Sequence, residues 1–148
     1  MESAAEYSFY YYGEGDDRKL VESTGGVVIE NNVELHTGCV VEKGVMGGNT
    51  HIGCNTKLDN QVFIGHDSYV GSNCTLAGQT MLAGGVYIGN DSFAGVCSSF
   101  APNVILGNNT KVSAGSVVTK SVPDGQHVSG NFAIEHSKLV EHIKILSK

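Results

Sequence analysis

The chain has 148 residues, which fits a single domain. Its 20 glycines and its aromatic content of only 7% argue against a β-sandwich or a helical bundle. So much glycine among aliphatic residues indicates many tight turns and directs attention to internal repeats. The net charge is −6 and the nine Lys and Arg residues are scattered, which argues against a nucleic-acid-binding surface, and no apolar run is long enough to predict a membrane span.

The first predicted segment, residues 1–24, is an N-terminal hairpin or cap. An aromatic cluster at Tyr7 and at Phe9–Tyr12 precedes the turn-forming stretch Gly13–Asp17, and we expect these aromatic side chains to pack as a cap. The start has neither the basic nor the apolar region of a signal peptide. The four cysteines form no CxxC pair, so we expect free thiols and a cytoplasmic location.

Residues 25–123 carry a six-residue repeat. Stepping by six from Ile52 to Val118 meets only apolar residues, and four places after each one stands a small or β-branched residue. This period fits neither a helix nor a hairpin array and predicts short parallel strands joined by turns. An earlier block with the same period consists of Ile29, Leu35 and Val41, and the next apolar position, Met46, follows Val41 after five residues instead of six. One residue is missing from the period at this point, so we expect an irregularity near Gly44–Gly48.

This pattern, [LIV]-[GAED]-x-x-[STAV]-x, resembles the hexapeptide-repeat transferases. The resemblance implies an all-β fold, a left-handed parallel β-helix in which three hexads form one triangular coil. The sixteen hexads then imply about five coils. The resemblance also implies a homotrimer whose active sites lie between subunits.

The last predicted segment, residues 124–148, contains a loop and an α-helix from Ala133 to Lys148. Apolar residues recur at helical spacing in this segment, so one face of the helix is expected to dock on the last coil or on a trimer partner. The stripe consists of Leu139, Val140, Ile143 and Leu146.

A column of residues 18 apart suggests a catalytic site. It contains Gly48, His66, Gly84, Pro102 and Lys120. An imidazole titrates near neutral pH and can take a proton from an amine or a hydroxyl group. The Gly84 amide, with no side chain over it, suits the donor that holds an oxyanion during acyl transfer. Lys120 is expected to meet the phosphate end of an extended pantetheine arm.

The stretch Leu58–Asp67, LDNQVFIGHD, resembles the catalytic segment of the UDP-3-O-acylglucosamine N-acyltransferases. The resemblance implies that His66 is the general base and that the Gly84 amide is the oxyanion donor. We expect Asp67 to orient the histidine or an acceptor amine. Asp59 and Asn60, in the same motif, are the expected substrate-binding residues.

A second resemblance is to the sugar-nucleotide N-acetyltransferases that use acetyl-CoA. It rests on the segments His66–Gly71 and Val112–Pro123. The resemblance implies a donor site near the end of the β-helix, and the expected donor-binding residues are Pro102, Lys120 and Ser113.

The favoured function is transfer of an acetyl group from acetyl-CoA to an amino or hydroxyl group of a sugar, most readily a nucleotide-linked amino sugar for a surface glycan such as lipopolysaccharide. No permanently bound cofactor is expected. No metal is expected either, because His36, His51 and His66 are spaced by 15 residues and not by 18. Two alternatives stay open: an N-acyltransferase of the lipid A type that uses acyl carrier protein, and a non-catalytic β-helix scaffold.

Overall fold

The repeat folds into a three-sided stack of parallel strands in the computed structural model, which describes residues 3–5, 10–130 and 133–146. Face 1 consists of β4 (Gly26–Ile29), β7 (Asn49–Ile52), β10 (Tyr69–Val70), β13 (Tyr87–Ile88) and β16 (Ile105–Leu106). Face 2 consists of β5 (Glu34–Leu35), β8 (Lys57–Leu58), β11 (Thr75–Leu76), β14 (Phe93–Ala94), β17 (Lys111–Val112) and β19 (His127–Val128). Face 3 consists of β1 (Ser3–Ala5), β6 (Val40–Glu42), β9 (Phe63–Ile64), β12 (Met81–Leu82), β15 (Ser99–Phe100) and β18 (Val117–Val118).

Successive strands along the chain go from face 1 to face 2 to face 3, so each hexad turns one corner of a triangular coil. Between Gly26 and Val118 five strands stack on every face, and a single described helix, α1 (His136–Leu146), follows. The predicted parallel β-helix with a C-terminal helix is therefore confirmed. The left hand of the coil stays a prediction from the family resemblance.

The core lies on the axis of the stack. In each short strand the second residue points inward, and the twelve predicted inward positions from Ile52 to Val118 are at most 6% exposed. Small residues fill the corners, where buried hydroxyl groups need partners. Thr56 Oγ1, for example, donates to the Gly71 carbonyl at 2.7 Å, so the corner buries a hydroxyl without losing its hydrogen bond.

The expected irregularity is an insertion of five residues, not the loss of one. Coils after the second repeat every 18 residues, as in Ile64↔Leu82, whereas the first two coils are 23 apart, as in Val41↔Ile64. Met46 therefore lies in a loop and is 83% exposed, instead of restarting the core. By the same offset, Lys43 and not Gly48 occupies the position one coil before His66.

The N-terminal segment contains an antiparallel hairpin of β2 (Tyr11–Tyr12) and β3 (Lys19–Leu20), with a 3-10 turn at Gly15–Asp17 between them. The prediction of an aromatic cap is wrong for the described tyrosines, because Tyr10 to Tyr12 are 46–57% exposed. Tyr7 and Phe9 lie outside the described residues.

The C-terminal segment adds one more strand to face 2. β19 pairs with β17, so His127 belongs to the stack and not to the loop that was predicted after residue 123. Helix α1 begins three residues later than predicted, and it has no buried residue; Leu139, Ile143 and Leu146 are 41–72% exposed. Over the described part of the chain, no helix has both the length and the apolar character needed to cross a lipid bilayer.

Candidate active site

A pocket of about 440 Å³ lies at the corner between faces 3 and 1. His66 follows β9 directly, and the turn after it leads into β10, so the repeat itself delivers the imidazole to this corner. Three more predicted residues line the same pocket: Asp67, Gly84 and Pro102. The fold therefore brings together the proposed base, its acidic neighbour and the proposed oxyanion donor.

The imidazole of His66 is held from one side by a carboxylate. Its Nδ1 lies 2.8 Å from Asp67 Oδ2, which leaves Nε2 as the nitrogen available to a substrate. Asp67 itself has φ of 56°, in the left-handed region, and this turn conformation sets it beside the histidine. The Val45 amide donates to the same carboxylate at 3.1 Å, and Glu42 Oε2 accepts from the His66 amide at 3.1 Å.

Gly84 lies directly against the ring of His66. A Cβ atom at Gly84 would be 2.5 Å from His66 Nε2 and 2.6 Å from Cε1, so only glycine lets the imidazole approach this closely. No described residue accepts a hydrogen bond from the Gly84 amide. The imidazole of His66 and the unpaired amide of Gly84 therefore belong to residues that are in contact in the same pocket.

The Gly84 amide is unpaired because of the residues that stack on it. At a neighbouring corner, Asn90 Oδ1 in the following coil accepts from the amide of Ser72 at 2.8 Å, 18 residues earlier. The residue 18 after Gly84 is Pro102, whose side chain has no acceptor.

No described side chain of the preceding coil accepts a hydrogen bond from the Gly84 amide either. Asp59 Oδ2 accepts from the Gly78 amide, 19 residues later, at 3.1 Å. The residue 19 before Gly84 is Gly65, which has no side chain. Gly65 in the preceding coil and Pro102 in the following coil therefore leave the Gly84 amide without a side-chain acceptor, and it lines the pocket.

The predicted donor-binding residues do not share one site. Pro102 lines the His66 pocket, whereas Lys120 lines a separate pocket of about 240 Å³ toward the C-terminal end of the stack. Ser113 lies at another corner, between faces 2 and 3, where its Oγ is 2.8 Å from His127 Nε2 and 2.8 Å from Ser129 Oγ.

The predicted substrate residues also lie away from His66 within one chain. Asp59 and Asn60 follow β8, at the corner between faces 2 and 3, because one hexad turns one corner. Asp59 Oδ1 accepts from the Asn60 amide at 2.7 Å and its other oxygen caps the next coil. In a single chain Asp59 therefore serves as a turn cap.

Six residues around the site were not predicted: Tyr10, Glu42, Val45, Met46, Gly85 and Asn103. The ring of Tyr10 is edge-to-face with His66, with centroids 5.6 Å apart and an interplanar angle of 72°. Val45 and Met46 belong to the five-residue insertion and line the pocket. The phase break at Met46 was the one sequence signal that pointed to this loop.

A second histidine–carboxylate pair lies on face 1, outside the pocket. His51 Nε2 is 2.9 Å from Glu30 Oε1, and the Cys54 thiol and amide donate to Glu30 Oε2, each at 2.9 Å. The bonds from Cys54, with a smaller contribution from His51, lower the pKa of Glu30, and the carboxylate in turn raises the pKa of Cys54. His51 stacks on Tyr69, with centroids 4.9 Å apart.

No three His, Cys, Asp or Glu side chains within residues 3–5, 10–130 and 133–146 are arranged to hold a metal ion. The four cysteines are unpaired, and the two at repeat corners, Cys39 and Cys74, are buried. The groups that the described residues place at the site are the His66 imidazole, its carboxylate partner Asp67 and the Gly84 backbone amide.

Residues 49–84 and 85–120 match the bacterial transferase hexapeptide family (six repeats). The chain is 56% identical over 113 residues, 76% of its length, to the UDP-3-O-acylglucosamine N-acyltransferase of Rhodopseudomonas palustris. It is 44% identical over 61 residues, 41% of its length, to the enzyme of that name from Bradyrhizobium. These alignments cover 31% and 17% of the relatives, so the chain spans less than a third of their length.

Two solved structures extend the comparison. The UDP-N-acetylglucosamine O-acyltransferase of Moraxella catarrhalis shares the fold, with a TM-score of 0.76 and 24% identity over 98% of this chain and 58% of that chain. A mutant of perosamine N-acetyltransferase from Caulobacter crescentus, in complex with CoA and GDP-perosamine, gives a TM-score of 0.56 and 28% identity over 73% of this chain and 54% of that chain. Residues 49–120 therefore carry the repeats of the bacterial transferase hexapeptide family, and the chain is a homologue of acyltransferases.

Proposed function

We propose that this chain transfers an acyl group from a thioester to the amino group of a nucleotide-linked sugar. The observation that carries the proposal is that the His66 imidazole packs against Gly84, whose amide has no hydrogen-bond acceptor among the described residues. Acyl transfer needs a base for the nucleophile and a donor for the oxyanion, and it needs them within reach of the same carbonyl group.

In the proposed reaction His66 Nε2 takes a proton from the acceptor amine as its nitrogen attacks the thioester carbonyl. The carbonyl oxygen becomes an oxyanion and accepts a hydrogen bond from Gly84, an interaction worth roughly 3 kcal/mol in other acyl-transfer enzymes. The tetrahedral intermediate then collapses, the carbon–sulfur bond breaks, and the imidazolium returns its proton to the leaving thiolate. Asp67, bonded to Nδ1, stabilises the imidazolium while it exists.

Acetyl-CoA and an acyl carrier protein thioester are the two candidate donors. In either case the pantetheine arm would run from the His66 pocket past Pro102 toward Lys120, whose ammonium group suits a phosphate. The perosamine N-acetyltransferase neighbour, determined with CoA, supports the first donor. The identity of 56% over 113 residues to an N-acyltransferase of UDP-3-O-acylglucosamine supports the second, and with it a lipid A type of reaction.

We propose that the chain works as a homotrimer. Faces 1 and 3, which meet at the His66 corner, expose apolar side chains such as Met81, Tyr87, Ile105 and Val117, each 42–57% exposed. On face 2 the outward positions include the apolar Phe93, at 39% exposure, but most are charged or polar, such as Glu34, Lys57 and Lys111. Packing of faces 1 and 3 between copies would bury these apolar positions and would put the His66 pocket beside a second subunit.

The proposed location is the cytoplasm. All four cysteines are unpaired, including the exposed Cys97, and a reducing compartment keeps thiols in this state. The proposed product is an acylated sugar destined for a surface glycan.

The test is thiol release from acetyl-CoA and from acyl carrier protein loaded with a long acyl chain, each with UDP-3-O-acylglucosamine or GDP-perosamine as the acceptor. The proposal expects release with one donor that requires both an acceptor and His66, so that His66→Ala loses it. Thiol release that His66→Ala retains would contradict the assigned base. A correctly folded protein that releases no thiol in any combination would favour the scaffold.

A further inference from the structure

The wall of the His66 pocket on the N-terminal side contributes no side chain to the chemistry described above. It consists of Tyr10, from the N-terminal segment, and of Val45 and Met46, from the five-residue insertion. Tyr10 is 46% exposed and Met46 is 83% exposed, so neither side chain is there to fill the core. Large apolar side chains left open beside a catalytic group commonly mark a ligand-binding surface.

Tyr10 is held in place although it is exposed. Its carbonyl accepts a hydrogen bond from the Val21 amide at 2.8 Å, which ties this part of the N-terminal segment to the far strand of the hairpin. Its ring contacts the imidazole of His66 edge-to-face, with centroids 5.6 Å apart. A group that lies on the open part of this ring is thereby brought next to the base.

The position of this wall relative to the thioester indicates which of the two substrates contacts it. The reacting carbonyl must lie within reach of both His66 Nε2 and the Gly84 amide. Under the proposed function, on which this step rests, the donor arm leaves that point past Pro102 toward the C-terminal end of the stack. The acceptor must then enter from the opposite side, over Tyr10 and Met46.

We infer that Tyr10 and Met46 form the binding surface for the sugar ring of the acceptor. A pyranose ring has C–H-rich faces, and the flat amphipathic ring of a tyrosine packs against such a face while the sugar hydroxyl groups keep their contact with water. Met46 is flexible and polarizable and adapts to the edge of the sugar. Tyr10 is thus a specificity-determining residue that orients the acceptor amine toward His66 Nε2 and takes no part in proton transfer.

The competing occupant of this wall is the acyl chain of the donor. An apolar chain would also bury Tyr10 and Met46, but it would make the wall sensitive to acyl length and indifferent to the sugar. A substitution in this wall should therefore change the affinity for the sugar acceptor if the sugar binds there, and the preference for acyl length if the acyl chain binds there.

The experiment measures the Kd of UDP-3-O-acylglucosamine and of GDP-perosamine by calorimetry for the wild type, Tyr10→Ala, Tyr10→Phe, Met46→Ala and Tyr12→Ala. Tyr12 is the matched control, because it is an exposed tyrosine two residues away, in β2, that does not line the pocket. We expect Tyr10→Ala to weaken the better acceptor about tenfold, the scale of one lost aromatic contact. Tyr10→Phe and Tyr12→Ala should stay within twofold. If Tyr10→Ala does not fold, Met46→Ala decides, with an expected loss of threefold or more.

Equal acceptor affinity in Tyr10→Ala and the wild type would overturn the inference. So would a wild type that binds neither acceptor, or a Tyr10→Ala protein that changes only its preference for donor acyl length. Thiol release measured on the same proteins tests the proposed function separately. Tyr10-dependent acceptor binding without any release would leave the sugar surface in place and would remove the acyltransferase.

Discussion

Replacing Gly84 with alanine tests the geometry of the site with a single added methyl group. The new Cβ atom would lie 2.5 Å from His66 Nε2, whereas ordinary van der Waals contact begins near 3.4 Å. The backbone does not resist the change, because φ of Gly84 lies outside the left-handed region. The imidazole must therefore move while the turn keeps its shape.

The size of the effect follows from that distance. Going from 2.5 Å to at least 3.4 Å shifts His66 Nε2, the nitrogen of the proposed base, by about 1 Å away from Gly84. A displacement of about 1 Å in a positioned catalytic group can lower the rate about 100-fold. That factor corresponds to about 2.7 kcal/mol of transition-state stabilisation.

The assay is kcat for thiol release, measured beside thermal unfolding. Val96→Ala is the matched control, because Val96 occupies the same turn position at another corner and is 48% exposed. We expect Gly84→Ala to lose about 100-fold in kcat, with a melting temperature near that of the wild type. A Gly84→Ala protein with wild-type kcat would refute the close approach of His66 to Gly84.

Three further predictions concern other parts of the molecule. Asp67→Asn should lower kcat at least about tenfold, because a neutral amide stabilises the imidazolium less well; an unchanged kcat would show that Asp67 only shapes the turn. Leu76→Ala should lower the free energy of unfolding by about 2–5 kcal/mol in urea, since Leu76 is 0% exposed, whereas the outward-facing neighbour change Thr75→Ala should lower it by less than about 1 kcal/mol. Glu30→Gln should lower the melting temperature at pH 7, because the pKa of Glu30 is held below its ordinary value of 4.5 and a lowered carboxyl pKa stabilises the fold above that pH. This difference should shrink as the pH falls below 4.5 and Glu30 becomes protonated, and a difference that is the same at every pH would contradict the assigned bonds from Cys54 and His51.

The stacked core could be predicted in detail because its rule is local. Every inward position from Ile52 to Val118 repeats at six residues, and a polar residue there would be buried in the axis of the stack. The free amide of Gly84 also follows from the sequence once the coil length is known. Gly65 and Pro102, 19 residues before it and 18 after it, are visible as residues without side-chain acceptors.

The insertion before β7 could not be identified from the period alone. A hexad with one residue missing and a coil with five residues added leave the later repeats in the same phase. Only the strand pairing of Val41 with Ile64 distinguishes the two, and it moves Met46 from the core to the wall of the pocket. Tyr10 was missed because its contact with His66 joins residues 56 positions apart and follows no repeat.

Which of the predicted donor-binding and substrate-binding residues share a corner could not be predicted from the motifs. Asp59 is seven residues from His66 in the same motif, yet it lies at another corner, since one hexad carries the chain around the triangle by one face. Ser113 and Lys120 are likewise seven residues apart and lie at different corners. Spacing in multiples of 18 predicts proximity in this fold, and shared motif membership does not.

The central claim is that this chain moves an acyl group and that His66 is its base. The most direct measurement is mass spectrometry of UDP-3-O-acylglucosamine and GDP-perosamine after incubation with each thioester donor and with the wild type, His66→Ala or His51→Ala. His51 is the matched control, because it too pairs with a carboxylate, Glu30, but lies outside the pocket. We predict one added acyl group on the sugar with the wild type and with His51→Ala, and none with His66→Ala. An acylated sugar from His66→Ala in wild-type yield, or no acylated sugar from any of the three folded proteins, would contradict it.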